Sequence, residues 1–495
     1  MITRKSTLFG LGAGLILSLS VMKVSAFYQG RSFDIASLDR ELDRIRQEAS
    51  VPGLAVAILS EGNRALARGY GEARAGDPVT PQTRFMIGSL SKSFTAAAVL
   101  QQAEAGHLDL DVPVRSYLSE FAVADPKASE RITVRHLLNQ TSGLSDAGYP
   151  EMRLPRTDTI HGRVVALTSA RPEAEPGERF HYFNANYAVL ALLVERASGL
   201  PFDRYLMERL FRPLGMSRTF AAVTMDEARR RAPDLAQGHI ELFGHALPWN
   251  EGDGNLGGSG GLISTADDMA RWLGMLLGLG QLEGKRVLSP ESVRIMQTSP
   301  PGLPYAMGWF VMPEGAAPVL THEGIFSTFY AEAMLFPETG QGLLLLANIQ
   351  SLPHTLLTVP QLRSALEASI MSGENSLPAL TVPTIGIGSA ILTTFLVGLA
   401  VWRSSRVKEH ERSETVWTGL SWRVCFRLIP LAMLCGLPWM IEWTSGRAFN
   451  FTSVAFVMLD FVIPLGVISF LCSFSAGLLI ARRLGVRSGN DPEFR

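Results

Sequence analysis

Apolar residues along this chain fall into three patterns: continuous runs, alternating stretches and helical stripes. A continuous run spans residues 8–22, behind Arg4 and Lys5 and ahead of Val24-Ser25-Ala26. A charged start, an apolar middle and a small-residue end predict a secretory signal peptide over 1–26, with an uncleaved membrane anchor as the alternative. Residues 36–49 carry Leu38, Leu42 and Ile45 on one stripe, the pattern of an amphipathic helix. The stretch 54–59 reads as a buried strand, with 64–70 as its hairpin partner across Glu61-Gly62-Asn63. Three more strands are expected at 305–311, 329–336 and 342–347, and a helix at 362–371. The middle of the chain reads as mostly helical. Strands at both ends and helices between predict an α+β domain over 27–372, whose sheet joins its two ends.

Three long apolar spans close the chain, at about 382–402, 425–442 and 452–480, after a linker at 373–381. Each is long enough to cross a bilayer as a helix. The loop between the first two carries Arg403, Arg406, Lys408 and Arg412, and the tail at 482–495 carries Arg482, Arg483 and Arg487. The turn between the second and third has only Arg447. This bias places loop and tail in the cytoplasm and the preceding domain outside it, in the periplasm or beyond the cell. The spans contain Arg427 and Asp460. Arg427 suits a snorkelling side chain, and Asp460 suits either a hydrogen bond to a neighbouring span or contact with a substrate or a transporter.

Composition narrows the function classes. A net charge of −1 offers no basic excess for nucleic acid. Cys425, Cys435 and Cys472 all lie in the apolar spans, which leaves 27–375 with neither a disulfide framework nor a thiolate metal site. The histidines form no metal-binding helix pattern, so no metal and no cofactor are expected.

The candidate chemistry begins at Ser89-Leu90-Ser91-Lys92. A serine three positions before a lysine at a helix start puts hydroxyl and ammonium on one face. In a dry cleft the lysine becomes a base and Ser89 a nucleophile. Read alone, the same residues suit a helix-capping serine and a surface lysine. Ser20…Lys23 and Ser405…Lys408 share the spacing. Tyr182-Phe183-Asn184 lies on a loop entering a helical run at 188–197, where phenol and amide can reach one cleft; an aromatic packing loop is the alternative. His322-Glu323-Gly324 precedes a strand. Glycine there lets a substrate backbone approach closely, and the Ile325 amide can donate to an oxyanion.

Taken together, these motifs resemble those of the serine β-lactamase and penicillin-binding-protein superfamily, and more narrowly its class C β-lactamase and D-Ala-D-Ala carboxypeptidase branch (peptidase family S12). The stretches 132–138, 141–144 and 257–262, with Asp268, match in the same order. The resemblance implies a β-lactamase/transpeptidase-like fold, an antiparallel sheet flanked by helices plus a helical subdomain. It implies that Ser89 forms an acyl-enzyme, that Lys92 and Tyr182 move the proton, and that Asn184 holds lysine and substrate. The Ser89 and Ile325 amides would form the oxyanion hole. His322 stands where many relatives have lysine. If Glu323 faces the cleft, it would repel an anionic β-lactam, so weak or absent β-lactam hydrolysis is expected.

An exported domain of this kind followed by three spans resembles membrane-bound prodrug-maturation peptidases, such as the colibactin peptidase. The implied substrate is a small peptide or acylated precursor, cut next to a D-residue at the inner membrane beside a possible exporter. A generic esterase, a D-aminopeptidase or a weak β-lactamase is the alternative. A β-lactam sensor fits less well, because the cytoplasmic parts are short.

Overall fold

The computed structural model describes residues 35–252, 256–314, 317–371, 382–406 and 417–483. The expected signal peptide, the linker at 373–381 and most of the 482–495 tail lie outside the described residues. The chain starts with helix α1 (Ile35–Glu48), whose buried stripe is Leu38, Leu42 and Ile45. Strands β1 (Gly53–Ser60) and β2 (Asn63–Arg74) follow as an antiparallel hairpin. Its turn is Glu61-Gly62, both at positive φ (51° and 72°), which suits the right-handed twist of the strands.

Among the described residues, eight strands form one antiparallel sheet. After β1, β2 and β3 (Asp77–Pro78) come β4 (Tyr305–Ala306), β5 (Trp309–Glu314), β6 (Ala317–Ile325), β7 (Tyr330–Phe336) and β8 (Gln341–Ala347). Their order is β4-β5-β6-β7-β8-β1-β2-β3, so the first hairpin joins the last strand and the two ends of the domain meet. Two sequence expectations need correction. The stretch 305–311 is two strands, not one, because Gly308 at φ 94° reverses the chain and pairs Ala306 with Trp309. The His322 motif, expected between a strand and the 329–336 strand, does precede the latter but lies inside a strand of its own, β6. The middle also holds short strands, including Phe85–Met86 paired with Leu262–Ser264.

The two faces of the sheet bury different cores, as period-two alternation requires. Leu54, Val56, Ile58, Leu343 and Leu345 pack with α1 and the later helix Val359–Met371. Ala55, Ala57, Leu59, Leu344 and Leu346 face the larger core, which contains helix α2 (Ser91–Glu104) and helix α3 (Asn184–Ser198). Both helices carry the site. Phe94 stacks on Trp272 with ring centroids 3.9 Å apart, and Trp272 Nε1 donates to Ser93 Oγ at 3.0 Å. These contacts lock the start of α2.

Beyond the sheet domain, helices span Val382–Arg406, Trp417–Ser445, Phe451–Val457 and Leu459–Arg483. Among the described residues, three helices are long and apolar enough to cross a membrane. Their exposed side chains include Ile391, Phe395, Trp439 and Phe470. The third expected span is interrupted at Met458, where φ −131° and ψ 34° leave the helical region. Asp460 follows this break. It is 4% exposed, and its Oδ1 accepts from Phe243 N at 2.6 Å while its carbonyl accepts from Ser389 Oγ. Asp460 therefore ties the sheet domain to the first span.

Candidate active site

The nucleophile turn is built by backbone constraints. Gly88 sits at φ 52°, which favours glycine, and a Cβ there would lie 2.9 Å from the Gly324 backbone. A Cβ on Gly324 would in turn meet Ile87 O at 2.0 Å. Two glycines therefore let strand β6 lie directly against the turn that carries Ser89. Ile325 N is 2.9 Å from the position of that Gly88 Cβ, so the Ile325 amide lies beside the turn that carries Ser89. Ser91 Oγ donates to Gly88 O at 2.6 Å and accepts from Leu262 N at 3.0 Å, which pins the turn to the 257–262 segment.

Ser89 is half-buried, and Lys92 lies one turn away on α2, fully buried. Lys92 Nζ is 2.9 Å from Ser89 Oγ and 2.7 Å from Ser259 O. Burial lowers the Lys92 ammonium well below its ordinary 10.5; Arg447 and Arg163 add to this, and Glu151 opposes it. A buried charge of this kind sheds its proton rather than stay unsolvated. The amine lone pair is then free to take a proton from Ser89. The lysine is held by the Ser259 carbonyl; in the sequence reading Asn184 had that role.

Tyr182 enters from the loop before α3, and its hydroxyl lies near the Ser89 side chain. The loop is held by Gln140, whose Oε1 accepts from Phe183 N at 3.1 Å and from Asn186 Nδ2 at 2.7 Å. Burial pushes the Tyr182 phenol up to about 12, although the nearby Arg447 and Ser89 pull it down. The phenol is therefore protonated at neutral pH and is a relay rather than the base. Asn184 opens α3, and its Oδ1 is buried with no hydrogen-bond partner. An acceptor left without a donor costs about 1–3 kcal/mol, which a substrate N–H would recover.

His322 is 2% exposed on the catalytic face of β6. Its Nδ1 donates to Glu323 O at 2.7 Å, leaving Nε2 to accept from the Tyr305 hydroxyl at 3.1 Å. Burial, then the nearby Lys92, lowers its imidazolium to about 3. No cation stands at this strand position at neutral pH. Glu323 is the adjacent residue and faces the opposite side of the sheet. It accepts from the Tyr330 hydroxyl at 3.1 Å and lies 3.8 Å from Arg363. The expectation that Glu323 repels an anionic substrate is thus overturned by strand alternation: Leu320, His322 and Gly324 share one face, and Val319 and Glu323 share the other.

The structure brings Ser89, Lys92, Tyr182, His322, Gly324 and Ile325 together, with Asn184 at the start of α3 on the loop that carries Tyr182. Three residues escaped the sequence reading. Ser259 lies inside the 257–262 stretch, which carried no role for it, and Asp146 lies just after the 141–144 stretch. Arg447 was read only as a topology charge, yet its Cζ lies 4.9 Å from the Tyr182 ring centroid.

Fold and site together define a serine hydrolase of the serine β-lactamase and penicillin-binding-protein superfamily. The chain belongs to the Beta-lactamase family, whose sequence profile matches residues 38–365. It is 31% identical to penicillin-binding protein 4 of Amycolatopsis lactamdurans, over 64% of this chain and 86% of that protein. It is 24% identical to protein Flp of Staphylococcus aureus strain MW2, over 84% of both chains. That share of 495 residues extends past residue 365, into the part that holds the apolar helices. Among solved structures it is similar to the octameric penicillin-binding protein homologue from Pyrococcus abyssi, with TM-score 0.58, 26% identity and coverage of 73% and 81% of the two chains. It is also similar to SurE, with TM-score 0.56, 25% identity and coverage of 70% and 78%.

The pH dependence of acylation follows from the site. Catalysis needs the free Lys92 amine, so the rate falls as pH drops through its lowered pKa. No alkaline limb is expected at the ordinary phenol value of 10.0, because Tyr182 is pushed up to about 12. A pH series of kcat/KM with a neutral ester checks this. An acidic limb that disappears in His322→Asn would assign the base wrongly.

Proposed function

We propose that the protein is a membrane-anchored serine peptidase that cleaves an amide next to a D-residue in an exported, N-acylated small precursor. In this reading Ser89 Oγ attacks the carbonyl as its proton passes to Lys92 Nζ. The Ser89 and Ile325 amides stabilise the oxyanion, each worth about 3–4 kcal/mol. The Tyr182 hydroxyl carries the proton on to the leaving nitrogen as the C–N bond breaks. Water then attacks the acyl-enzyme, and the carboxylic acid leaves as Ser89 recovers its proton.

The observation that carries the peptidase reading is the buried, partnerless Asn184 Oδ1, an acceptor suited to a substrate N–H that an ester lacks. Support for an acylated substrate comes from the nearness of the site to the apolar helices, where an acyl chain could rest in lipid. The printed name of the Amycolatopsis relative supports a second reading, penicillin binding, and Glu323 no longer argues against it.

The test compares purified full-length protein on N-acyl-D-amino-acid amides, their L-isomers, p-nitrophenyl esters of the same acyl group, and a penicillin. The D-amide is expected to have a kcat/KM at least about tenfold above the L-amide, a difference of about 1.4 kcal/mol. Equal rates for D and L forms, or turnover of esters alone, would leave only the generic hydrolase. Fast turnover of penicillin would replace the peptidase reading with a β-lactamase.

A further inference from the structure

The turn between the second and third apolar helices packs against the domain that carries the site. Gly446 at φ 68° ends the second helix, and residues 447–450 dock on the loop that follows Gly143. Arg447 Nε donates to Asp146 Oδ2 at 2.8 Å, and Ala448 N donates to the same oxygen at 3.1 Å. Arg153 Nε donates to Phe449 O at 2.9 Å, Arg153 also pairs with Glu442 at 2.8 Å, and Asn450 Nδ2 donates to Met152 O at 3.1 Å. Asp146 is 2% exposed and Ala448 fully buried, so this is a packed interface.

Its centre is Tyr182. The ring centroid lies 4.9 Å from Lys92 Nζ and 4.9 Å from Arg447 Cζ. A guanidinium over a phenol face is attracted to the ring, more strongly when water is excluded. Arg447 can be buried there only because Asp146 pairs with it. The two come from segments 301 positions apart, one in the sheet domain and one between apolar helices.

We propose that the turn between the second and third apolar helices completes the catalytic site, with Arg447 as a positioning residue that holds Tyr182 against Ser89. The sheet domain alone lacks this wall of its active site. The guanidinium is committed to Asp146 and the ring, so it acts through Tyr182 rather than by binding a substrate carboxylate. The ionisable groups around Arg447 and Tyr182 are Lys92 from α2, Asp146 and Glu151 from the loop after Gly143, Arg163, and Tyr305, His322 and Glu323 from the sheet, Glu323 acting from its opposite face. Glu151 is taken by Arg163, whose Nη2 donates to it at 2.8 Å. Arg447 is thus the cation from the membrane region that faces the phenol.

The proposal rests on the serine hydrolase reading for its kinetic test and is separable from it. In full-length protein, Arg447→Met is expected to lower kcat on a neutral p-nitrophenyl ester about tenfold or more with little change in KM, as for a group acting in the transition state. The acidic limb of its pH profile should move to higher pH, because Arg447 also lowers the Lys92 ammonium. Arg447→Lys should recover part of the loss. The paired change Asp146→Asn with Arg447→Met removes both buried charges and leaves no orphan, so it tests the loss in a folded protein. Fluorotyrosine incorporated in the Ser89→Ala background reads the Tyr182 ring without catalysis, with Tyr182→Phe assigning its signal. Arg447→Met should shift that signal. If wild type forms no acyl-enzyme, the hydrolase reading fails while the fluorine shift still decides this proposal. An unmoved fluorine signal, or a kinetic loss confined to KM for a carboxylate-bearing substrate, would overturn it.

Discussion

Ser89→Ala is expected to remove every covalent adduct formed by the full-length protein and to lower kcat by about 10⁶-fold, the scale of losing a serine nucleophile. The hydroxyl is the acceptor 2.9 Å from Lys92 Nζ and lies near Tyr182, so no other group reproduces its position. The fold should survive. Ser89 is half-buried, and Lys92 keeps its bond to Ser259 O. The stability change should stay near the ~1 kcal/mol of one hydrogen bond. Thermal unfolding and intact-mass measurement on the same sample separate the two effects. Retained labelling with unchanged stability would place the nucleophile elsewhere.

Lys92→Met is expected to cost about 10²–10⁴-fold in acylation, the usual contribution of a positioned base. Methionine has similar length and no charge to desolvate, but it leaves Ser259 O without this donor, so a loss of stability of about 1–3 kcal/mol is expected. Lys92→Arg should not rescue. A guanidinium keeps its proton, and it would add a fixed charge to a site that already holds Arg447 and Arg163. Single-turnover acylation with a neutral ester measures both variants. Activity in the arginine form would show that charge, rather than a free amine, is what the site requires.

Much of this site was legible because its parts are local patterns. Ser89 and Lys92 share a helical turn, and Tyr182 and Asn184 share a loop entering a helix. The amphipathic stripe of α1 and the hairpin at Glu61-Gly62 are equally local, and both stand as read. Failures came where the answer depends on register or on distant segments. The face of Glu323 follows from knowing that 317–325 is a strand, and its polar Thr321-His322-Glu323 run hid that. Gly308 split a strand through a backbone angle that an apolar run does not announce. Arg447 reached the site through tertiary packing across 301 positions, which no spacing encodes. The membrane-span reading saw the same arginine only as a charge count.

The central claim is that this chain works through an acyl-enzyme on Ser89. The direct measurement is peptide mapping by mass spectrometry, after brief incubation of the full-length protein with an activated ester of an N-acyl-D-amino acid and an acid quench. The account predicts one acyl group on the peptide containing Ser89, located on Ser89 rather than on Ser91 or Ser93, and none in Ser89→Ala. An adduct on another residue, or equal adduct in Ser89→Ala, would contradict it.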